Sequence, residues 1–335
     1  MIHLAAASSL EYLPWCATMI RSVLDHHAPA LHVHYLDGIG LPANERARLE
    51  SMVRDAGAQI TVHEIGAERL AGLPPHERFG GLVVWLRLLL PELLPDLERV
   101  LYVDADAFAA DSLQSLWDSD LGGAPLGAVG NVVEPEMWPH LTGLGIADPR
   151  DVLNSGVLLM DLRALRAEDA LGQVRAAVRR QGDRMTWADQ DALNVVFDGR
   201  WHHLHPRWNA QNSLWTWSTW AADVFGADVV AEARARPAIV HFEGPHVRKP
   251  WHFLCQHPAR GAYRDARART PWGPAALEDR TLLTRAISRL PEQRQVPTYI
   301  RLLRLRRRRR RLRAALGRVR RRLRQVRPGS GKPGP

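Results

Sequence analysis

Arg99-Val100-Leu101-Tyr102-Val103-Asp104-Ala105-Asp106 decides the fold. The run from Arg99 to Val103 reads as a buried strand. At its carboxyl end stand two carboxylates separated by one small residue. Side chains two apart in an extended segment point to the same side, so Asp104 and Asp106 can grip one cation together. Hard divalent ions take oxygen ligands, and open α/β sheets bind ligands at the carboxyl ends of their strands. The bare triplet fits a solvated turn as readily as a metal site.

Working outward, strand and helix patterns alternate. Ile2 to Ala6, His32 to Leu36, Gln59 to Glu64, Leu126 to Val129 and Ser155 to Asp161 read as strands. Leu10 to Leu24, Pro42 to Ala56 and Leu82 to Leu90 read as helices, the second with Pro42 at its start and Gly57 just past its end. Such alternation predicts an α/β fold with a mostly parallel central sheet flanked by helices. From Trp201 to Trp220 the periodicity breaks, and Trp201, Trp208, Trp215, Trp217 and Trp220 crowd a stretch of His, Asn, Gln and Ser. Strand character returns from Ala238 to Phe242. A body of residues 1–257, a Pro- and Arg-rich peripheral segment of 258–298 and a tail of 299–335 follow from this pattern.

The net charge of +9 is concentrated in the tail. From Tyr299 onward the chain holds 15 Arg, one Lys and no acid, a charge of +16, which leaves −7 on residues 1–298. The body is therefore mildly acidic, and no nucleic-acid partner is expected for it. In the tail, Leu305, Leu312, Val319 and Val326 recur every seven residues, with Leu302, Leu316 and Leu323 between them. Arg309 and Gly317 interrupt this single apolar stripe on a helix otherwise made of Arg. A basic amphipathic helix over 301–327 predicts contact with an anionic membrane surface; a solvated tail or a coiled-coil contact is the alternative. No apolar run approaches the ~20 residues of a membrane span. Cys16 and Cys255 make neither a disulfide framework nor a metal spacing, and no basic segment precedes Met1-Ile2-His3 as a leader would require. The expected location is cytoplasmic, peripheral to the inner face of the membrane.

Four segments converge: Tyr102-Val103-Asp104-Ala105-Asp106, Leu153 to Leu162 with Asn154-Ser155-Gly156, Trp187-Ala188-Asp189-Gln190-Asp191-Ala192-Leu193-Asn194, and His241-Phe242-Glu243-Gly244 with Lys249-Pro250-Trp251 close behind. In this order and spacing they resemble glycosyltransferase family 8, which includes bacterial lipopolysaccharide galactosyl- and glucosyltransferases and glycogenin. The resemblance runs from the first strand to about Trp251. It implies a GT-A type nucleotide-diphospho-sugar transferase fold. It also implies a UDP-sugar donor, a saccharide or lipid-linked acceptor, a divalent cofactor (manganese, or magnesium), and transfer of a hexose with retention at the anomeric carbon.

The resemblance also assigns roles. Asp104, Asp106 and His241 would hold the metal, a mixed O/N set that suits manganese. Lys249 would act as a point charge on the diphosphate, and Gly244 would let backbone approach it. Ala6, Ser8, Tyr12, Ala105, Asn131, Asn154 and Ser155 would line the nucleotide-sugar. Arg87, a lone cation among apolar neighbours, would reach the donor or form a buried ion pair with an aspartate. Asp189 and Gln190 would hydrogen-bond sugar hydroxyls, with Asp189 also an N-cap candidate. Gln190 would lie beside the anomeric carbon, and Asp191 is an alternative nucleophile.

The chain departs from the family at Ala5-Ala6-Ala7-Ser8-Ser9-Leu10-Glu11-Tyr12, where an acidic pair usually reads the nucleobase. Tyr12 can still stack on a base, and Ser8 can substitute for the aspartate with less specificity for uracil. Asn131 stands where an aspartate is common, Ser155 where Ala or Thr is frequent, and the loop between Gly244 and Lys249 is one residue longer. These changes leave two further readings open: a sugar-nucleotide-binding protein with lost or altered catalysis, and a phosphohydrolase built on Asp104 and Asp106. The haloacid dehalogenase type of phosphatase places its Asp-x-Asp on the first strand, with Thr or Val two residues on; here the motif lies deep in the chain and Phe108 takes that place.

Overall fold

The computed structural model describes residues 1–76, 81–306 and 308. Ten strands are described: β1 (Ile2–Ala7), β2 (Leu31–Asp37), β3 (Gln59–Glu64), β4 (Arg99–Val103), β5 (Ala107–Ala109), β6 (Leu126–Gly130), β7 (Leu153–Asp161), β8 (His202–His203), β9 (Ala210–Gln211) and β10 (Ile239–His241). Seven form the central sheet in the order β3-β2-β1-β4-β7-β6-β8, and β5-β10-β9 form a small second sheet. Parallel pairs join β3, β2, β1 and β4, and β6 to β8; β7 runs antiparallel between β4 and β6. The near-continuous apolar runs of β1, β4 and β7 follow from burial on both faces.

Helix Leu13–His27 covers one face through Leu13, Cys16, Ala17, Ile20 and Leu24, at helical spacing. It starts three residues later than its apolar pattern suggests. Tyr12 N–H closes a turn on the Ser9 carbonyl, and Pro14 then fits the first helical turn, where its missing N–H costs nothing. The opposite face is covered by helices Ala170–Gln181 and Asp189–Val196 and by the Val83–Leu89 segment, over a second apolar cluster.

That segment is a 3-10 helix followed by a short α-helix, Leu90–Leu93, where the sequence reads as one α-helix. Pro91 supplies the reason at the last turn. It has no N–H to offer the carbonyl of Arg87 four residues back, so that carbonyl accepts from Leu90 instead. The tighter winding puts Arg87 on the inner side, buried against the sheet.

The Trp-rich stretch resolves into short pieces: a 3-10 turn Pro206–Asn209, β9, and helices Ser213–Thr216 and Ser218–Phe225. Trp201 and Trp208 are buried; Trp215, Trp217 and Trp220 are half-buried around Leu214 and Ala221. Beyond it, helix Arg260–Ala268 packs Tyr263 against Phe108, Phe242 and Trp251. Residues 292–306 are helical, and Val296, Tyr299, Ile300, Leu302 and Leu303 pack with Val247 and Leu254. Residues 309–327 of the expected membrane helix lie outside the described residues. Among those described, no helix is long and apolar enough to cross a membrane.

Asn194 joins the second helical layer to the sheet. Its Oδ1 accepts from Leu153 N–H at 2.7 Å, and its Nδ2 donates to the carbonyls of Leu153 and Gln190 at 3.0 and 2.8 Å. The first residue of β7, set opposite Gly130 of β6, thus has both its backbone groups held by one side chain. Asn194→Leu strips both backbone groups of Leu153 of these partners in the interior, and each such loss costs about 1–3 kcal/mol. The expected outcome is destabilisation by about 3 kcal/mol in urea unfolding, with an unchanged m-value.

Candidate active site

β4 ends at Val103, one residue before the first aspartate. Asp104 N–H donates to the Gly156 carbonyl at 2.8 Å, and Ala107 N–H donates to the Asp104 carbonyl at 3.1 Å. The two carboxylates therefore meet across a turn, and not along the pleat of a strand. β5 begins at once and pairs antiparallel with β10 in a register that sets Ala107 opposite His241. This register brings His241 Nε2 to 3.3 Å from Asp106 Oδ1 and 3.9 Å from Asp104 Oδ2. One ligand atom from each of the three residues lies within 4.8 Å of the others.

A line of amides fixes the imidazole. Asn154 Nδ2 donates to Asn131 Oδ1 at 3.0 Å, and Asn154 Oδ1 accepts from Asn209 Nδ2 at 2.9 Å and from Gly156 N–H at 3.0 Å. Asn209 Oδ1, 3.0 Å from His241 Nδ1, is then the acceptor of the ring proton. The Nε2 lone pair faces the two carboxylates, as a ligating histidine requires. Gly156 leaves the room: a Cβ there would sit 2.2 Å from His241 Cε1 and 3.0 Å from Asp104 Oδ2. Two carboxylates, an oriented imidazole and this cradle fit a hard divalent cation.

Cations already stand against the aspartates. Lys249 is buried; its ammonium pairs with Asp106 and donates to the Phe242 carbonyl at 2.7 Å. Arg87 Nη2 donates to Asp104 Oδ1 at 2.8 Å, and its guanidinium lies 4.2 Å over the Tyr102 ring. Arg87 Nη1 holds the Ser155 carbonyl, and Nε lies 3.2 Å from Asp189 Oδ2 at an angle that makes an ion pair without a hydrogen bond. Burial opposes the charge on Asp106, but Lys249 and His241 outweigh it and hold the carboxyl well below the usual range. Burial likewise works to neutralise His241 and Lys249, and Asp106 overcomes it, so both titrate above their ordinary values. Asp189 behaves oppositely. Burial, reinforced by Asp104 and only partly offset by Arg87, pushes its carboxyl up to about 6.

The remaining expected residues gather at the same strand ends with unequal access. Gln190 Oε1 accepts from Ser155 N–H at 3.2 Å, and its side-chain NH2 has no hydrogen-bond partner among the described residues. Asp191 is fully buried; its Oδ2 accepts from the N–H groups of Thr186 and Trp187 at 2.7 and 2.9 Å and lies 3.0 Å from His140 Nε2. Ser8 is buried with its hydroxyl 2.9 Å from the Tyr35 hydroxyl. Tyr12 is half-buried edge-on to Trp251. Ala6 is enclosed within β1, so it serves only through the backbone leading to Ser8. Ala105 lies between the aspartates, and Gly244 adopts φ +88°, which favours glycine at the start of the Lys249 loop. Asn209 is the residue sequence reasoning missed. It sits in the aperiodic Trp-rich stretch, where only its position two residues before Gln211-Asn212 sets it apart.

An α/β sheet carrying a carboxylate pair, a histidine, a buried lysine and a buried arginine at one edge is built for a divalent cation and an anionic ligand. The sequence profile of glycosyl transferase family 8 matches residues 3–255, and the chain belongs to that family. It is 28% identical over 287 residues to the lipopolysaccharide 1,3-galactosyltransferase of Salmonella typhimurium, covering 82% of this chain and 80% of the relative. It is 26% identical over 278 residues to general stress protein A of Bacillus subtilis, covering 81% and 95%. The galactosyltransferase LgtC, solved with donor and acceptor sugar analogues, superposes with a TM-score of 0.70 at 27% identity, covering 82% of this chain and 98% of that one. An active-site glutamine-to-glutamate mutant of LgtC superposes with a TM-score of 0.68. The fold is thus of the GT-A type, and the chain is a glycosyltransferase.

The raised Asp189 carboxyl has a measurable consequence. Folding binds a proton here that the unfolded chain releases above its ordinary value of 3.8, so this group costs stability as pH rises from about 4 to beyond 6. Asp189→Asn removes the titration. The stability of the variant minus that of the wild type is expected to increase from pH 4 to pH 7.5 in paired denaturation curves.

Proposed function

We propose that the chain moves a hexose, galactose or glucose, from a UDP-sugar to a hydroxyl of a glycan or lipid-linked saccharide, with retention and with manganese or magnesium. The process it serves would be cell-surface polysaccharide or lipopolysaccharide synthesis, the role carried in the name of the Salmonella relative. The observation that carries the reading is His241, turned by Asn209 toward Asp104 and Asp106, with Lys249 on Asp106. Asp104, Asp106 and His241 would hold the ion, which when bound supplies a Lewis acid for the charge growing on the leaving diphosphate.

The chain's own groups bind and orient. Lys249 trades Asp106 for a phosphate oxygen as the diphosphate enters. Arg87 holds Asp104, the Ser155 carbonyl and Asp189 in one frame, and Asp189 and the free NH2 of Gln190 meet sugar hydroxyls. A glutamine amide is a poor nucleophile, and the oxygens of Asp191 are spent inside the fold or buried. Displacement on the front face follows: the acceptor oxygen bonds to the anomeric carbon as the bond to phosphate breaks, and the departing phosphate takes the acceptor proton. A covalent glycosyl-Asp191 adduct detected by mass spectrometry overturns this path.

One observation favours a second reading, in which the nucleotide differs or turnover is lost. The Ser8 hydroxyl is engaged with Tyr35, and no acid stands at 5–9 to read a base. The phosphohydrolase reading gives His241 no part, which its place beside Asp106 disfavours. UDP release by the purified chain across a panel of UDP-sugars separates the readings. Release with manganese from one donor, abolished by Asp104→Ala/Asp106→Ala, is expected. Asn209→Leu is expected to raise the manganese needed for half-maximal rate roughly 10–100-fold.

The tail supplies the membrane contact in this proposal, which places the chain at the inner face of the membrane as a peripheral protein. Leu305, 47% exposed beyond the docked turns, begins the apolar stripe on the Arg-rich helix. Each basic residue near an anionic surface contributes about 1 kcal/mol. A chain ending at Leu303 is expected to lose binding to vesicles containing phosphatidylglycerol by at least about tenfold, and 0.5 M salt to weaken the full chain similarly. Unchanged partitioning on truncation sinks the membrane assignment.

A further inference from the structure

The same strands carry four histidines away from the carboxylate site. β1 and β2 pair His3 with His32, β2 and β3 pair His34 with Thr61, and His63 lies two residues beyond Thr61. Residues two apart share a face of the sheet, so all four imidazoles lie on one face. Further along, that face carries Ala5, Ala7 and Leu36 under the Val83–Leu89 segment. His3 and His32 lie toward the amino ends, His34 beside Ala5 and His63 beside Leu36, with His34 buried and the others half-buried.

The ring nitrogens converge. His3 Nδ1 lies 3.0 Å from His34 Nε2, and one ring nitrogen from each of His3, His32 and His34 lies within 4.8 Å of the others. Two nitrogens each bonded to one ion at about 2.0–2.1 Å stand about 3 Å apart, the spacing that His3 and His34 already have. The other nitrogen of His34, Nδ1, lies 3.1 Å from His63 Nε2. A ligating histidine characteristically gives its second N–H to such an outer partner. The His32 and His34 rings stack at 4.3 Å with His32 Nε2 2.9 Å from Thr61 Oγ1, so His32 turns out of this stack to bring the third nitrogen in.

We propose that His3, His32 and His34 form a second metal site, for a late first-row divalent cation of the zinc class, with His63 as the residue that orients His34. The donor set is three imidazoles and no carboxylate, which suits zinc, copper or nickel and not magnesium or calcium. The hydrogen bond between His3 and His34 gives way to two metal–nitrogen bonds. The shared proton moves to the other nitrogen of its own ring, so no net proton is released. Ser8, at the nucleotide end of β1, is five residues from His3, roughly 16 Å at about 3.3 Å per residue. The two metal sites therefore do not share a ligand. An ion here would tie the first three strands of the sheet together, and the inference stands whether or not the transferase reading does.

Zinc titrated calorimetrically into the tag-free full-length chain tests it, first in an Asp104→Ala/Asp106→Ala background that silences the carboxylate site. One saturable equivalent is expected. His3→Ala and His32→Ala, at half-buried positions and checked for folding by circular dichroism, are expected to weaken it at least about tenfold each, and His63→Ala roughly 10–100-fold. If the aspartate variant does not fold, the same substitutions in the wild-type chain are read as the loss of one equivalent. Cobalt in place of zinc adds a visible absorption band that the same variants should abolish. Absence of a saturable equivalent overturns the site. So does binding indifferent to His3→Ala and His32→Ala, or binding lost instead in His246→Ala, which would put the ion at His246, His252 and Asp279.

Discussion

The half-buried carboxylate of Asp106 needs a cation beside it, and much of the carboxyl-terminal edge is built to satisfy that demand. Removing an ionised carboxylate from water costs several kcal/mol unless a partner compensates. Lys249 and His241 both compensate here. Each is itself buried, and the aspartate beside it shifts its titration upward. Such a cluster is neutral enough to fold without a ligand and charged enough to receive one.

The rest of the fold holds those partners at the right distance. Lys249 rides on a loop whose far side is pinned by Trp251, stacked 4.4 Å from Trp15 and in contact with Tyr263. Helix Arg260–Ala268 therefore braces the Lys249 loop from outside the sheet. On the other flank the ladder from Asn131 through Asn154 and Asn209 to His241 passes orientation from β6 to the metal ligand through amide hydrogen bonds. Each amide has one donor and one acceptor end, so fixing one fixes the next.

The central strands were readable because burial on both faces leaves long apolar runs, and the carboxylates because they interrupt one. What the runs do not encode is the geometry of their ends. Two residues apart on a strand and two residues apart across a turn look identical in sequence, so Asp104 and Asp106 could be paired but not oriented. The Val83–Leu89 segment has helical periodicity, which does not distinguish a 3-10 from an α-helix, and Pro91 bears only on its last turn. Asn209 belongs to no motif: its meaning comes from the Ala107–His241 register, a contact between segments about 130 residues apart in the chain. Ser8 was assigned to the base on its position, while its hydroxyl turns inward to Tyr35, a residue on the neighbouring strand.

The tail and the site are mechanically joined. Val247 and Leu254 bracket the segment that carries Lys249, and both pack with Tyr299 and its neighbours at the root of the Arg-rich helix. Tyr299 also bonds Asp279, which in turn lies 3.3 Å from His252. The residues of 292–306 that pack here thus hold both flanks of the loop that carries Lys249.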